Sequence, residues 1–444
     1  GDLIGITEKL DYIASLGVQG VWISPFFPSP MRDFGYDLSE FKDIDPLFGT
    51  MDNFDALLKR AHELDLKIII DLVISHTSDQ HEWFQWSCKS KTNPKSDWYV
   101  WADPKPDGTP PNNWQSVFGG PAWTFHTGRE QYYMHNFLKE QPDLNYHNME
   151  VQDAILDVAK FWLDKGVDGF RLDTVNMYVH DKNLRDNPSK PPAQDTGIQY
   201  DGLWPYGMQQ HLYDKSQPEN IDFIERLRAL TNQYEDRFLI GEVGDDDQLK
   251  TAVEYTRGNN RLHSAYSFAY LGGRKGRKIN AEEIATPVVV EKTIEGESWP
   301  SWAFCNHDVV RVATRWGKNN PDDHPNYTKM LMALLTCLRG SACVYQGEEL
   351  GLTEAELKYE HLVDPWGIAL WPEWQGRDGC RTPMPWNEFK HNAGFTELEG
   401  MPWLPVCRKH YPLAVRQQEQ EPNSMLNFTK EFLNWRKTQP VLWT

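Results

Sequence analysis

Lys-Ile-Ile-Ile-Asp-Leu-Val, residues 67 to 73, is apolar on both sides of any extended ribbon it could form. A strand of that kind has no face to give to water, and it belongs in a parallel sheet covered by helices on both surfaces. A helix-period stretch precedes it, with Phe54, Leu57, Leu58, Ala61 and Leu64 on one side and Asp52 as the expected N-cap. Further upstream Leu3, Ile6, Leu10, Ile13 and Leu16 recur at helical spacing, Gly17 is placed to stop that helix, and 20–24 reads as a strand. The alternation resumes with a helix over 150–165 and a strand over 167–172, then a helix over 220–233 and a strand over 238–242. Weaker strands are expected near 263–268, 302–305 and 342–346, which makes seven in a chain that begins on a helix. Helix and strand in strict turn define an α/β class and point to a (β/α)8 TIM barrel, whose closure calls for one more strand upstream of Gly1.

Three long irregular stretches interrupt this pattern. Residues 78–148, rich in Trp, Pro, Asn and Gly, read as a small subdomain inserted after the third barrel strand, counting the missing one. It divides the barrel into a first part, 1–77, and a remainder, 149–444, which carries long loops over 177–219 and 351–424. Loops of such length are uncommon unless they are functional. All three follow strands, so a barrel gathers them over one mouth.

The chemistry is expected at that mouth. Asp173 closes the run 167–173, Glu242 closes 238–242, and Asp308 follows 302–307. A carboxylate is costly to bury unless it is paired or reactive. Three of them at strand ends, far apart in sequence, suggest one pocket and an enzyme. The formal net charge of −19 over 444 residues argues against nucleic acid and anionic membrane as partners. No run approaches the length of a membrane span. Six scattered cysteines without a C-x-x-C pair indicate neither a zinc cluster nor a disulfide framework. The spacing in His76-Thr-Ser-Asp-Gln-His81 fits no zinc motif, and the basic stretch 272–278 reads as a solvated loop rather than a phosphate cradle. Nineteen tryptophans fit a large aromatic core and flat platforms for sugar rings equally well.

Four blocks carry a family resemblance. Asp71-Leu-Val-Ile-Ser-His76, Gly169-Phe-Arg-Leu-Asp-Thr174, Ile240-Gly-Glu-Val243 and Phe304-Cys-Asn-His-Asp308 resemble, in order and spacing, the four signature regions of the α-amylase family of glycoside hydrolases. Gly35-Tyr-Asp37 and Arg377-Asp-Gly-Cys-Arg381-Thr-Pro-Met resemble its exo-acting α-glucosidase and oligo-1,6-glucosidase branch. The first region departs from the family in holding Ser75 where Asn is usual, and most of the family's C-terminal β-domain is absent.

The resemblance implies a sugar substrate and a retaining mechanism, with an ionised nucleophile and a protonated acid about 5 Å apart. Asp173 suits the nucleophile, because Arg171, two residues earlier on the same strand face, is expected to lower its pKa. Glu242 suits the acid/base and Asp308 the third carboxylate that orients sugar hydroxyls. His76 and His307 resemble the family's hydrogen-bond donors to glucose, while Asp37 and Arg381 match the positions that grip its non-reducing end above Tyr36. Thr174, where α-1,6-specific relatives carry Val, implies a preference for α-1,4 bonds in maltose or short oligosaccharides. Transfer of the glucose to an alcohol, or action on sucrose as a glucosyltransferase or isomerase, is the alternative. A non-catalytic accessory role is disfavoured, since all three carboxylates are present. No cofactor is implied for catalysis. Gly1 and Asp2 look like the end of a loop that binds structural Ca²⁺ or Mg²⁺ in relatives, with Asp2 as one ligand.

Overall fold

The computed structural model describes residues 1–190, 204–272, 279–293, 299–317, 324–397 and 400–442. Ten strands appear among them: β1 Gly20–Ile23, β2 Lys67–Leu72, β3 Trp101–Ala102, β4 Trp123–His126, β5 Gln131–Met134, β6 Gly169–Leu172, β7 Phe238–Glu242, β8 Ser264–Ser267, β9 Pro300–Ala303 and β10 Ser341–Cys343. Seven form one sheet in the order β1-β2-β6-β7-β8-β9-β10, every neighbouring pair parallel. These are the seven strands expected from the alternation, within a few residues at each end.

The sheet is curled into a barrel. β1 and β8 are four strand spacings apart, about 19 Å if the sheet were flat. Yet the rings of Trp22 on β1 and Tyr266 on β8 lie 6.3 Å apart, and Trp22 also meets His307 beyond β9 at 5.5 Å. Side chains from opposite walls therefore touch across a filled interior. Helices pack outside, as the burial of β2 requires: Ile68, Ile70 and Leu72 are all at or below 1% exposed.

Local signals explain the helix ends. Gly17 follows the first helix, Leu3–Ser15, with φ of 90°, the left-handed turn that stops it. The second helix, Met51–Glu63, is capped by Thr50 rather than Asp52. Thr50 Oγ1 accepts from Asn53 N at 3.3 Å while Asn53 Oδ1 accepts from Thr50 N at 3.0 Å, a reciprocal box that Asp52, in the first turn, cannot form. The helix Met149–Lys165 runs from the Asn148 cap to Gly166, again left-handed at φ of 101°. Its Trp162 is wedged against Phe26, Phe27 and Phe54, so much of the aromatic content serves the core.

Within 78–148 lies a separate antiparallel sheet, β3-β5-β4. A bridge from His76 to Asp143 fastens that stretch to the chain leaving β2, and one from Tyr99 to Leu144 lies within it. The basic stretch after Gly272 lies outside the described residues.

Candidate active site

Strand register sets the height of each acidic side chain. Leu172 on β6 is level with Gly241 on β7, so Asp173 and Glu242, each one residue on, stand side by side at the strand ends. Adjacent strands are about 4.8 Å apart, and Glu242 is in turn level with Tyr266 on β8. One level below, Asp71 on β2 pairs with Arg171 on β6. Arg171 is 1% exposed and its guanidinium ties these groups together. Nη1 bonds Asp71 Oδ1 at 2.9 Å and Asp173 Oδ1 at 2.5 Å. Nη2 reaches Glu242 Oε2 at 2.6 Å and the Tyr266 hydroxyl at 2.8 Å. Asp173 and Glu242 are thus held to the two terminal nitrogens of one guanidinium.

One cation among three buried carboxylates cannot keep all of them charged. Burial raises Glu242 to about 7, with Arg171 opposing and the charges of Asp173 and Asp308 adding to the rise. Burial likewise lifts Asp173 to about 6, so the expected lowering by Arg171 is outweighed by desolvation and by Asp71. Of the two, Glu242 is raised further and keeps its proton to higher pH.

Asp308 lives differently. Burial would raise it, but His307, Arg377 and Arg381 hold its carboxyl well below the usual range. Arg381 Nη2 bonds Asp308 Oδ1 at 2.9 Å, its Nε bonds the His307 carbonyl at 2.6 Å, and Arg377 Nη1 reaches the same Oδ1 at 3.3 Å. Arg377 also grips Asp364 and Asp33 at 2.8 and 2.9 Å.

The histidines are neutral. Burial lowers His307 to about 3 and His76 to about 4. His307 Nε2 lies 2.8 Å from the Tyr36 hydroxyl, which itself donates to Asp71 at 2.9 Å. The Tyr36 ring stacks on His307 at 5.5 Å and 4°, forming a buried wall. His76 Nε2 faces the Tyr36 carbonyl at 2.9 Å and so carries the proton, leaving Nδ1 to accept from Ser75 Oγ at 2.8 Å. Thr174 adopts a left-handed backbone with φ of 40° and ψ of 45°, costly for a β-branched residue by about 1–3 kcal/mol. That turn aims its N–H at Glu242 Oε2, 3.0 Å away.

A sequence profile for the Alpha amylase catalytic domain matches residues 1–444. The chain belongs to the alpha-amylase family. A probable alpha-glucosidase of Rhizobium meliloti (strain 1021) is 51% identical over 443 residues, covering 100% of this chain and 79% of the relative. An oligo-1,6-glucosidase of Heyndrickxia coagulans is 37% identical over 475 residues, 99% of this chain and 82% of the relative. Among solved structures, an alpha-glucosyl transfer enzyme, XgtA, superposes with a TM-score of 0.95 at 53% identity, covering 100% of this chain and 81% of that one. The protein is thus a glycoside hydrolase of the alpha-amylase family built on a (β/α)8 barrel.

Within this alpha-amylase barrel one sequence expectation, the role of Asp37, needs correction. Asp37 is spent on its own loop, accepting from Ser29 Oγ and from the main-chain N–H groups of Arg32 and Asp33 at 2.8 to 3.0 Å. The carboxylate this loop presents to the arginines is Asp33, bonded to Arg377 and within the field of Arg381. Asp2 caps the first helix by accepting from Gly5 N at 2.7 Å. Among the described residues no three His, Cys, Asp or Glu side chains cluster as metal ligands, so the residues present do not make up a cation site. Sequence reasoning also missed Arg377 and Tyr266. Arg377 sits one helical turn before Arg381 in a motif already singled out, and Tyr266 is the one large residue of a short, weakly apolar strand.

Proposed function

We propose that this protein is a retaining, exo-acting α-glucosidase that releases glucose from the non-reducing end of maltose and short α-1,4-linked oligosaccharides. The observation that carries this reading is the Asp173–Glu242 pair: two carboxyls at the ends of adjacent strands, joined by one guanidinium. Neighbouring strands are about 4.8 Å apart, nearer the roughly 5 Å of a retaining pair than the wider gap of an inverting one.

Asp173 attacks the anomeric carbon while Glu242 gives its proton to the leaving oxygen, and the glycosidic bond breaks. Glu242, now ionised, takes a proton from water, which cleaves the glucosyl–Asp173 ester and restores both groups. Asp308, kept anionic by Arg377 and Arg381, binds sugar hydroxyls and offsets positive charge at the anomeric centre. Arg381 and Asp33 close the pocket behind one glucose, and neutral His76 and His307, both bonded to Tyr36, brace its wall. Thr174 beside the nucleophile underlies the α-1,4 preference. An acceptor alcohol can replace water in the second step, and the likeness to an alpha-glucosyl transfer enzyme supports that outcome.

The test is the anomeric form of the glucose released from p-nitrophenyl α-D-glucopyranoside, followed by proton NMR before mutarotation. Alpha-glucose is expected; beta-glucose as first product would overturn the retaining assignment. Asp173→Asn is expected to lower kcat roughly 10⁴-fold or more, and wild-type turnover by that variant would remove Asp173 from its role.

A further inference from the structure

The Thr174 hydroxyl has two acceptors and only one proton. Its Oγ1 lies 3.4 Å from Asp173 Oδ2 and 3.2 Å from Ser75 Oγ. Ser75, on the segment leaving β2, is 1% exposed. Its own proton is committed, because His76 carries hydrogen on Nε2 toward the Tyr36 carbonyl and accepts on Nδ1 from Ser75 at 2.8 Å. Toward Thr174, Ser75 therefore acts only as an acceptor. The left-handed turn at Thr174 also holds its N–H on Glu242.

We propose that Ser75 is a positioning residue for the nucleophile: it offers the Thr174 hydroxyl a second acceptor when Asp173 loses its charge to the covalent bond. In that step the bond from Asp173 to the anomeric carbon forms, the glycosidic bond breaks, and the Glu242 proton leaves with the departing oxygen. Negative charge vanishes at Asp173 and appears at Glu242. A half-buried hydroxyl left pointing at the neutral ester would lose most of its hydrogen bond. Turned to Ser75 it keeps one, while the Thr174 N–H meets the new charge on Glu242. Deglycosylation reverses both changes. Ser75 thus lets one residue serve both carboxyls in both halves of the reaction. The inference rests on Asp173 as the nucleophile.

The acid limb of the pH–rate profile reports on Asp173, which is faced by Arg171 on its own strand, Asp71 from β2, Glu242 from β7 and the phenols of Tyr36 and Tyr178. None of these is changed in the test. Profiles of kcat/KM are measured on p-nitrophenyl α-D-glucopyranoside for wild type, Ser75→Ala, Thr174→Val and the double variant. Ser75→Ala strands the Thr174 hydroxyl on Asp173, so kcat/KM falls about tenfold and the acid limb moves to lower pH by about half a unit. Thr174→Val removes the donor and moves the limb to higher pH. The double variant coincides with Thr174→Val, because without the donor the second acceptor has nothing to receive. An unmoved limb in Ser75→Ala, or an equal shift in both backgrounds, overturns the proposal. Ser75→Cys, which keeps the bulk with a weaker acceptor, shows the same directions at smaller size and serves if alanine unfolds the protein. Should Asp173→Asn retain activity, the nucleophile assignment fails; an inactive Asp173→Asn beside additive shifts rejects only the role of Ser75.

Discussion

Two charged clusters share the mouth of this barrel and are balanced in opposite ways. On the β2–β6–β7 side a single cation, Arg171, faces Asp71, Asp173 and Glu242. On the other side two cations, Arg377 and Arg381, face Asp33, Asp308 and Asp364. Both regions are largely buried, so desolvation pushes every carboxyl upward, and the number of guanidinium groups decides where each one settles. The first side leaves Asp173 at about 6 and Glu242 at about 7, poised to trade a proton. The second holds Asp308 and Asp364 below their ordinary values, although burial is the largest influence on each. Asp33 is raised, because burial there outweighs Arg377 and Arg381. A cation-poor half that moves protons and a cation-rich half that keeps fixed charge divide the labour of a glycosidase.

The comparison can be broken most severely at Arg171. Arg171→Lys preserves the charge but removes the fork that spans three carboxylates, and kcat on maltose is expected to fall about 10²–10³-fold. Turnover close to wild type would mean that strand register alone holds the acids in place. Arg377→Met tests the other half. It strips Asp33 and Asp364 of a buried partner and is expected to cost about 3–5 kcal/mol in urea unfolding, as broken buried ion pairs do. A loss below about 1 kcal/mol would show that Arg381 and main-chain N–H groups suffice.

The smallest effect sharpens the contrast through pH. Glu242 is raised, so its protonated form stabilises the fold; that contribution is present below the ordinary value of 4.5 and is lost as pH rises through about 7. Glu242→Gln should therefore melt a few degrees above wild type at pH 8 and close to it at pH 5. Asp308 is lowered, so its contribution is present above 3.8 and disappears as pH falls toward its folded value. Asp308→Asn should melt below wild type at pH 7, with the gap narrowing on acidification. Parallel behaviour of the two variants across pH would erase the distinction between the clusters.

Much of this division was legible in the chain and some was not, for physical reasons. Asp173, Glu242 and Arg171 lie on or directly beyond strands, where alternation and register fix direction, and the apolar runs of β2, β6 and β7 marked those strands. Asp33 and Asp37 flank a turn in which Phe34 and Gly35 both take positive φ, at 51° and 95°. Alternation fails there, so spacing alone could not say which carboxylate faces the arginines. Asp308 looked isolated because its cations come from a segment about seventy residues later in the chain. The departure at Ser75 was visible as a residue, but its partner across the strands was not. Hydroxyl contacts between strand ends depend on where the chain turns after Asp173, and the left-handed Thr174 is a conformation its side chain disfavours.

The surplus of acid over base around Arg171 also filters what can enter. A phosphorylated sugar or a uronic acid would bring its own anion onto a floor that cannot neutralise the charges it already holds, and would have to shed water to get there. An uncharged hexose meets no such penalty, and an amine of the same outline would be drawn in. The imbalance that keeps a proton available thus screens ligands by charge before any hydroxyl is recognised.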